Sequence, residues 1–129
     1  MRITHIDHLV LTVEDINKTT LFYESVLGME KEMFGESRVA LKFGNQKINV
    51  HQKGKEFEPK AKTPTPGSAD LCFITDTEII QTIEHIKSKG IEIIEGPVER
   101  TGAEGSILSI YFRDPDCNLI EVAYYKNTT

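Results

Sequence analysis

The stretch Ile6-Asp7-His8-Leu9-Val10-Leu11-Thr12-Val13 has a counterpart 62 residues further on, Ser68-Ala69-Asp70-Leu71-Cys72-Phe73-Ile74-Thr75. The same offset lays Glu14 on Asp76, Gly28 on Gly90, Met29 on Ile91 and Glu30 on Glu92. Each copy reads as a strand, an acidic stop, an amphipathic helix, a glycine and another strand, and internal repeats of this kind set architecture. In the second copy Asp76 or Thr77 caps the helix, and Ile79, Ile80, Ile83 and Ile86 fall on one face. Lys87 and Lys89 suit its last turn, and Gly90 supplies a left-handed stop. The first copy starts at Asp15, carries Ile16, Leu21, Phe22, Val26 and Leu27, and stops at Gly28.

Three strands are predicted after each helix. In the first half they are Met29–Gly35, Arg38–Phe43 and Lys47–His51; in the second they are Ile91–Glu99, Ile107–Arg113 and Asn118–Tyr124. The segment Thr101–Gly105, with two glycines, reads as a connecting loop with the makings of a lid. Residues 54–67 hold Pro59, Pro64 and Pro66 and read as a linker. The expected fold is therefore α+β: one domain of 129 residues made of βαβββ units 1–53 and 68–126. Two such units are expected to form a cup-shaped mixed β-barrel with flanking helices and the ligand site at their seam.

The composition narrows the partners. Fifteen Lys and Arg stand against 20 Asp and Glu, a formal charge of −5, which does not suit a nucleic-acid surface. No apolar run approaches the roughly 20 residues of a membrane span, and the N-terminus lacks the features of a signal peptide. Cys72 and Cys117 have no metal-knuckle spacing, so a reduced, cytoplasmic setting is expected.

The repeat also sorts the polar residues. His8 corresponds to Asp70 in the first strands, and Asn49 corresponds to Glu121 in the last strands, where Ile48-Asn49-Val50 matches Ile120-Glu121-Val122. His51 shares a face with Asn49. Such residues on otherwise apolar strands are costly to bury unless they find a partner. His5 and His85 read as surface residues, and Asp114-Pro115-Asp116 reads as a turn.

The chain resembles the vicinal oxygen chelate superfamily of glyoxalase I, fosfomycin-resistance proteins, extradiol dioxygenases and bleomycin-binding proteins. Within it the chain is most like the glyoxalase domain-containing protein 5 and bacterial virulence-protein type. The resemblance is carried by Ile6–Val13, Phe22-Tyr23 through Leu27-Gly28-Met29, Phe43–His51, Glu56–Lys60, Gly67–Cys72, Gly96-Pro97-Val98 and Ser109–Asp116 through Asn118–Val122. It implies a divalent metal (Ni, Zn, Mn, Co or Fe) where the first and last strands of each unit meet. His8 matches the first-strand His of the family and Glu121 the last-strand Glu. Asp70 stands where a His is usual and Asn49 where a Glu is usual, and His51 would restore a set of two His and two carboxylates. A divalent cation suits such deprotonated N and O donors.

The resemblance further implies a metal-dependent lyase or isomerase of the glyoxalase I class, with Glu121 as general base and a small-molecule substrate whose vicinal oxygens chelate the metal. Lactoylglutathione lyase is the specific form. Thr12 stands where many bacterial glyoxalase I enzymes have an Arg that holds glutathione, so Thr12 and Asn49 are expected as substrate or supporting residues. The alternatives are a non-haem iron dioxygenase using His8, His51 and Glu121, and a metal-free binding protein of the bleomycin-binding type. A homodimer is implied as well.

Overall fold

The computed structural model describes residues 1–126. Ten elements follow in chain order: β1 (His8–Val13), α1 (Ile16–Leu27), β2 (Glu30–Phe34), β3 (Arg38–Phe43), β4 (Gln46–Gln52), β5 (Asp70–Ile74), α2 (Ile79–Ser88), β6 (Glu95–Gly102), β7 (Gly105–Arg113) and β8 (Leu119–Tyr125). The fold is α+β. Its strands form two separate four-stranded sheets, in the orders β1-β4-β3-β2 and β5-β8-β7-β6. Among the described residues each sheet is the β-layer of one βαβββ unit, as expected, and strand pairing does not run from one sheet into the other. The chain divides at Ser68/Ala69 into two compact units.

Both sheets are mixed, because a first strand that returns through a helix must run parallel to its partner while the hairpins run antiparallel. In unit 1 Val10 lies opposite Asn49, and in unit 2 Cys72 lies opposite Glu121. These four positions correspond under the sequence repeat, so the repeat is reproduced residue for residue in strand register.

Alternation then separates two faces on each sheet. In unit 1 Leu11, Val13, Val39, Leu41, Ile48 and Val50 are buried with Tyr23 and Val26 of α1. In unit 2 Ile110, Phe112, Ile120 and Val122 are buried, as are Ile79 and Ile86 of α2. Burying side chains of this size is worth about 1.5–3 kcal/mol each, which makes these faces the main source of stability. The opposite faces carry His8, Thr12, Arg38, Asn49 and His51 in unit 1, and Asp70, Cys72, Ser109, Tyr111 and Glu121 in unit 2.

Several local expectations change. Asp15 caps α1 by accepting from the N–H groups of Asn17 and Lys18, as expected. Helix α2, however, begins at Ile79 after Glu78 without a side-chain cap, and Ile80 points outward at 61% exposure. Strand β6 starts at Glu95, later than the predicted Ile91, and runs through Gly102. The segment Thr101–Gly105 is no lid: Gly102 pairs with Gly105, leaving a two-residue hairpin. Residues 54–67 belong to unit 1 and fold back on it. Lys55 N–H donates to Gln52 O at 2.9 Å, and the Phe57 ring meets His51.

Two backbone details place the site. Gly96 has φ +113°, and a Cβ there would collide with the Ser109 and Ile110 backbone, so glycine is what lets the register shift between Glu95 and Val98 occur. Cys117 is the one non-glycine with positive φ, +67°, among the described residues. Its turn is tied by Asp114, whose carboxylate accepts from Asp116 N–H, Asn118 N–H and Asn118 Nδ2 at 2.8–2.9 Å. Buried Asn118 in turn accepts from Ala69 N–H at 2.8 Å, fastening the start of β5 beside β8.

Candidate functional site

The helix-free face of unit 2 holds a cavity of about 410 Å³ lined by Asp70, Glu95, Arg100, Tyr111, Arg113, Glu121 and the apolar Ile94 and Leu119. Strand β7 supplies Ser109, Tyr111 and Arg113 at alternate positions, and β8 presents Glu121 directly opposite Tyr111. The hydroxyl of Ser109, which is fully buried, donates to Glu121 Oε2 at 2.6 Å. That contact fixes one carboxylate oxygen on a rigid strand, and the Cys72 thiol and Tyr111 hydroxyl also reach the same carboxylate.

Cys72, opposite Glu121 on β5, has its thiol pushed up to about 11 by burial and by the Glu121 charge. It is therefore a protonated thiol at neutral pH and not a nucleophile. Arg100 donates from Nε to Tyr111 Oη at 3.1 Å and from Nη2 to Glu95 at 2.7 Å. Burial raises the Tyr111 phenol, and the Arg100 hydrogen bond partly offsets this. The cavity thus sets two guanidinium groups against three carboxylates, a lining made for a polar, charged small molecule.

Unit 1 presents different chemistry on its equivalent face. His8 is exposed, and its Nδ1 lies 2.8 Å from Asp7 Oδ1. A carboxylate on one ring nitrogen directs the other outward, the usual arrangement of a metal-binding histidine. His51 is 8% exposed, and its Nδ1 has no hydrogen-bond partner. Burial, followed by the Arg38 charge, lowers its imidazole from the ordinary histidine value and so favours the neutral ring, with Glu56 partly opposing this. Asn49 Oδ1 is also buried without a partner. Phe57 lies edge-on to His51 at 5.5 Å between centroids, and the Arg38 guanidinium sits 4.5 Å above the same ring.

The register decides which expected donors meet. Asp70 pairs with Leu119, and Glu121 pairs with Cys72, so the two carboxylates are diagonal neighbours about 7 Å apart on one face. His8 pairs with Lys47, whereas His51 pairs with Thr12, four residues along, or roughly 13 Å. Side chains stand roughly perpendicular to a sheet, so His51 does not join His8 around one ion. Among the described residues no three His, Cys, Asp or Glu side chains are grouped closely enough to hold a metal. The donor chemistry of His8, Asp70 and Glu121 nevertheless fits a divalent cation.

Reading the sequence picked out Asp70, Glu121, His8, His51, Asn49 and Thr12 but passed over Ser109, Tyr111, Arg100, Arg38 and Phe57. The β7 alternation Ser109, Tyr111, Arg113 between Ile110 and Phe112 was a usable signal for a polar face. Nothing local marked Phe57, whose position depends on how residues 54–60 fold back.

A family model of the glyoxalase/bleomycin resistance protein/dioxygenase superfamily matches residues 5–122. A virulence protein of Salmonella typhimurium is 62% identical over 125 residues, covering 97% of this chain and 87% of the relative. Its crystal structure superposes with a TM-score of 0.97, covering 98% of this chain and all of the other (100%). A glyoxalase domain-containing protein of Mycosarcoma maydis is 55% identical, covering 98% of this chain and 72% of the relative. A fosfomycin resistance protein of Listeria monocytogenes, solved as a point mutant with Mn(II) and 1S,2S-dihydroxypropylphosphonic acid, is 26% identical with a TM-score of 0.63, covering 94% of this chain and 90% of that one. Twin βαβββ units in matched register agree with these likenesses, and the chain belongs to the glyoxalase/bleomycin resistance protein/dioxygenase superfamily.

Proposed function

We propose that this protein is a metal-dependent enzyme acting on a small molecule with vicinal oxygens, with lactoylglutathione lyase as one specific form. The observation that carries the reading is Glu121, a cavity carboxylate held through one oxygen by Ser109 and neighboured by a second carboxylate, Asp70. A pair of carboxylates on one wall is oxygen-donor chemistry that suits a divalent cation. In this reading His8, Asp70 and Glu121 are the ligand donors. His51, which the β1/β4 register sets apart from His8, serves the substrate instead. The same separation disfavours the iron dioxygenase reading, which needs both histidines on one ion.

A bound divalent cation would supply Lewis acidity, polarising a substrate carbonyl. The chain's own groups do the rest. Glu121 takes a proton through Oε1 while Ser109 holds Oε2 still. Arg113 offers positive charge to an anionic end of the substrate, and Ile94 and Leu119 limit water. Support for a metal also comes from the Listeria relative, which was solved with Mn(II). Homodimer formation and a cytoplasmic setting belong to the same proposal, and both cysteines are free.

The experiment is turnover by protein loaded separately with Ni, Zn, Mn, Co or Fe, using the methylglyoxal–glutathione hemithioacetal first. Metal-dependent conversion that chelator removes is the expected result for the lyase form. Failure with every metal would eliminate that form.

A further inference from the structure

The cavity of unit 2 holds two arginines, and their hydrogen bonds give them different parts. Arg100 has every guanidinium nitrogen committed. Nε donates to Tyr111 Oη at 3.1 Å, Nη2 to Glu95 Oε2 at 2.7 Å and Nη1 to the Glu99 carbonyl at 3.2 Å. The edge formed by Nε and Nη2, one of those that grip a carboxylate through two parallel bonds, is thus spent on protein groups. Its guanidinium carbon also lies 5.5 Å from the centroid of the Tyr111 ring. Arg113 is held more loosely, through Nη1 to the Cys117 carbonyl at 3.4 Å. Of the two cations, Arg113 is the one placed to meet a ligand.

What Arg100 holds is the direction of a phenol. Tyr111 Oη accepts from Arg100, so its one hydrogen is turned elsewhere, and it donates to Glu121, directly opposite on β8. Ser109, two residues earlier on β7, donates to the same carboxylate at 2.6 Å. A chain of donors therefore crosses three strands, from Arg100 on β6 through Tyr111 on β7 to Glu121 on β8. The repeat supplies the contrast. In unit 1 Asn49 takes the place of Glu121, and the residue opposite it is Ala40, which has no side-chain donor. There Asn49 Oδ1 is buried without a partner. We infer that Tyr111 is the positioning residue of Glu121, and that Arg100 acts through Tyr111 and not on the substrate. Removing the phenol takes away one of the donors that fix the carboxylate's direction, and such outer donors are worth about 10- to 100-fold in metal affinity. This role for Tyr111 deepens the proposed metal chemistry and rests on it only in taking Glu121 as a ligand.

The test has two arms, both on the full chain. In metal-free protein the Cζ carbons of 13C-labelled tyrosine are followed by NMR, with Tyr111→Phe identifying the Tyr111 signal. Glu121→Gln and Arg100→Lys should each move that signal and leave Tyr23, in the other unit, in place. Lysine keeps the charge of Arg100 but has no planar fork to hold Glu95 and Tyr111 together. A Tyr111 signal indifferent to either substitution would overturn the inference. The second arm measures Mn(II) affinity by electron paramagnetic resonance. Tyr111→Phe should weaken it about 10- to 100-fold and Arg100→Lys by a smaller factor. In the Tyr111→Phe background Arg100→Lys should add nothing, because its effect passes through the phenol. Full additivity of the two substitutions, or unchanged affinity in Tyr111→Phe, would overturn the inference as well. If the protein takes up no Mn(II) at all, the metal reading falls, and the first arm alone decides the pairing of Tyr111 with Glu121.

Discussion

Units 1 and 2 share a strand order and a register, yet their functional faces have gone opposite ways. On unit 2, Glu121, Arg100 and Glu95 are hydrogen-bonded to neighbours, and the polar side chains line an open cavity. On unit 1 the equivalent strand carries Asn49, and two residues on His51, whose buried atoms lack partners. Similar backbones therefore host one face whose polar groups are hydrogen-bonded to each other and one with buried polar atoms that lack protein partners. Packing is shared because it depends on the apolar alternation both halves retain. The polar face depends on individual residues, and there the halves differ at nearly every position.

The most disruptive way to probe this comparison is in the cores. Phe112→Ala in unit 2 should cost about 3–5 kcal/mol, and Leu41→Ala in unit 1 about 2–5 kcal/mol, since both side chains are fully buried. Amide hydrogen exchange should show each loss concentrated in the substituted unit. Equal loss across both would mean that the halves do not respond separately.

Thiol chemistry sharpens the contrast next, because Val10 stands in unit 1 where Cys72 stands in unit 2. With its thiol near 11, Cys72 is thiolate in only about one molecule per thousand at pH 8. Its alkylation by iodoacetamide, read by mass spectrometry, should be slow and rise about tenfold per pH unit over pH 8–10. Glu121→Gln removes the adjacent charge and should accelerate it.

A smaller effect belongs to His51. Its folded value lies below 6.5, so the unfolded chain takes up the proton first. Stability should be full above that pH and decline as the pH falls towards the folded value. Urea midpoints measured from pH 7.5 to 5 should fall, and more steeply than in His51→Gln. The smallest change is Cys117→Gly, which relieves a left-handed cysteine and should raise stability by about 1 kcal/mol in thermal unfolding.

How much of this was legible in the sequence follows the same division. The repeat announced both units, because helices and strands declare themselves through periods of 3.6 and 2 that recur 62 residues apart. Asp15 and Gly28 bounded α1 correctly for local reasons, a capping carboxylate and a left-handed stop. Helix α2 began later than Asp76 or Thr77 implied, and β6 began later than Ile91, because the register shift at Gly96 is set by the close approach of β7. Of the site, Asp70 and Glu121 line one cavity, since diagonal pairing follows from register. The separation of His51 from His8 was not visible, because it depends on how β4 slides along β1. Nor was Phe57, brought to His51 by a segment whose prolines had marked it as a linker.

The proposed metal site of His8, Asp70 and Glu121 is open to a direct experiment, Mn(II) binding to this protein followed by electron paramagnetic resonance. One saturable site is expected, weakened at least about 100-fold by His8→Ala or by Glu121→Gln and unaffected by His51→Gln. No saturable uptake, or uptake indifferent to His8 and Glu121, would contradict it.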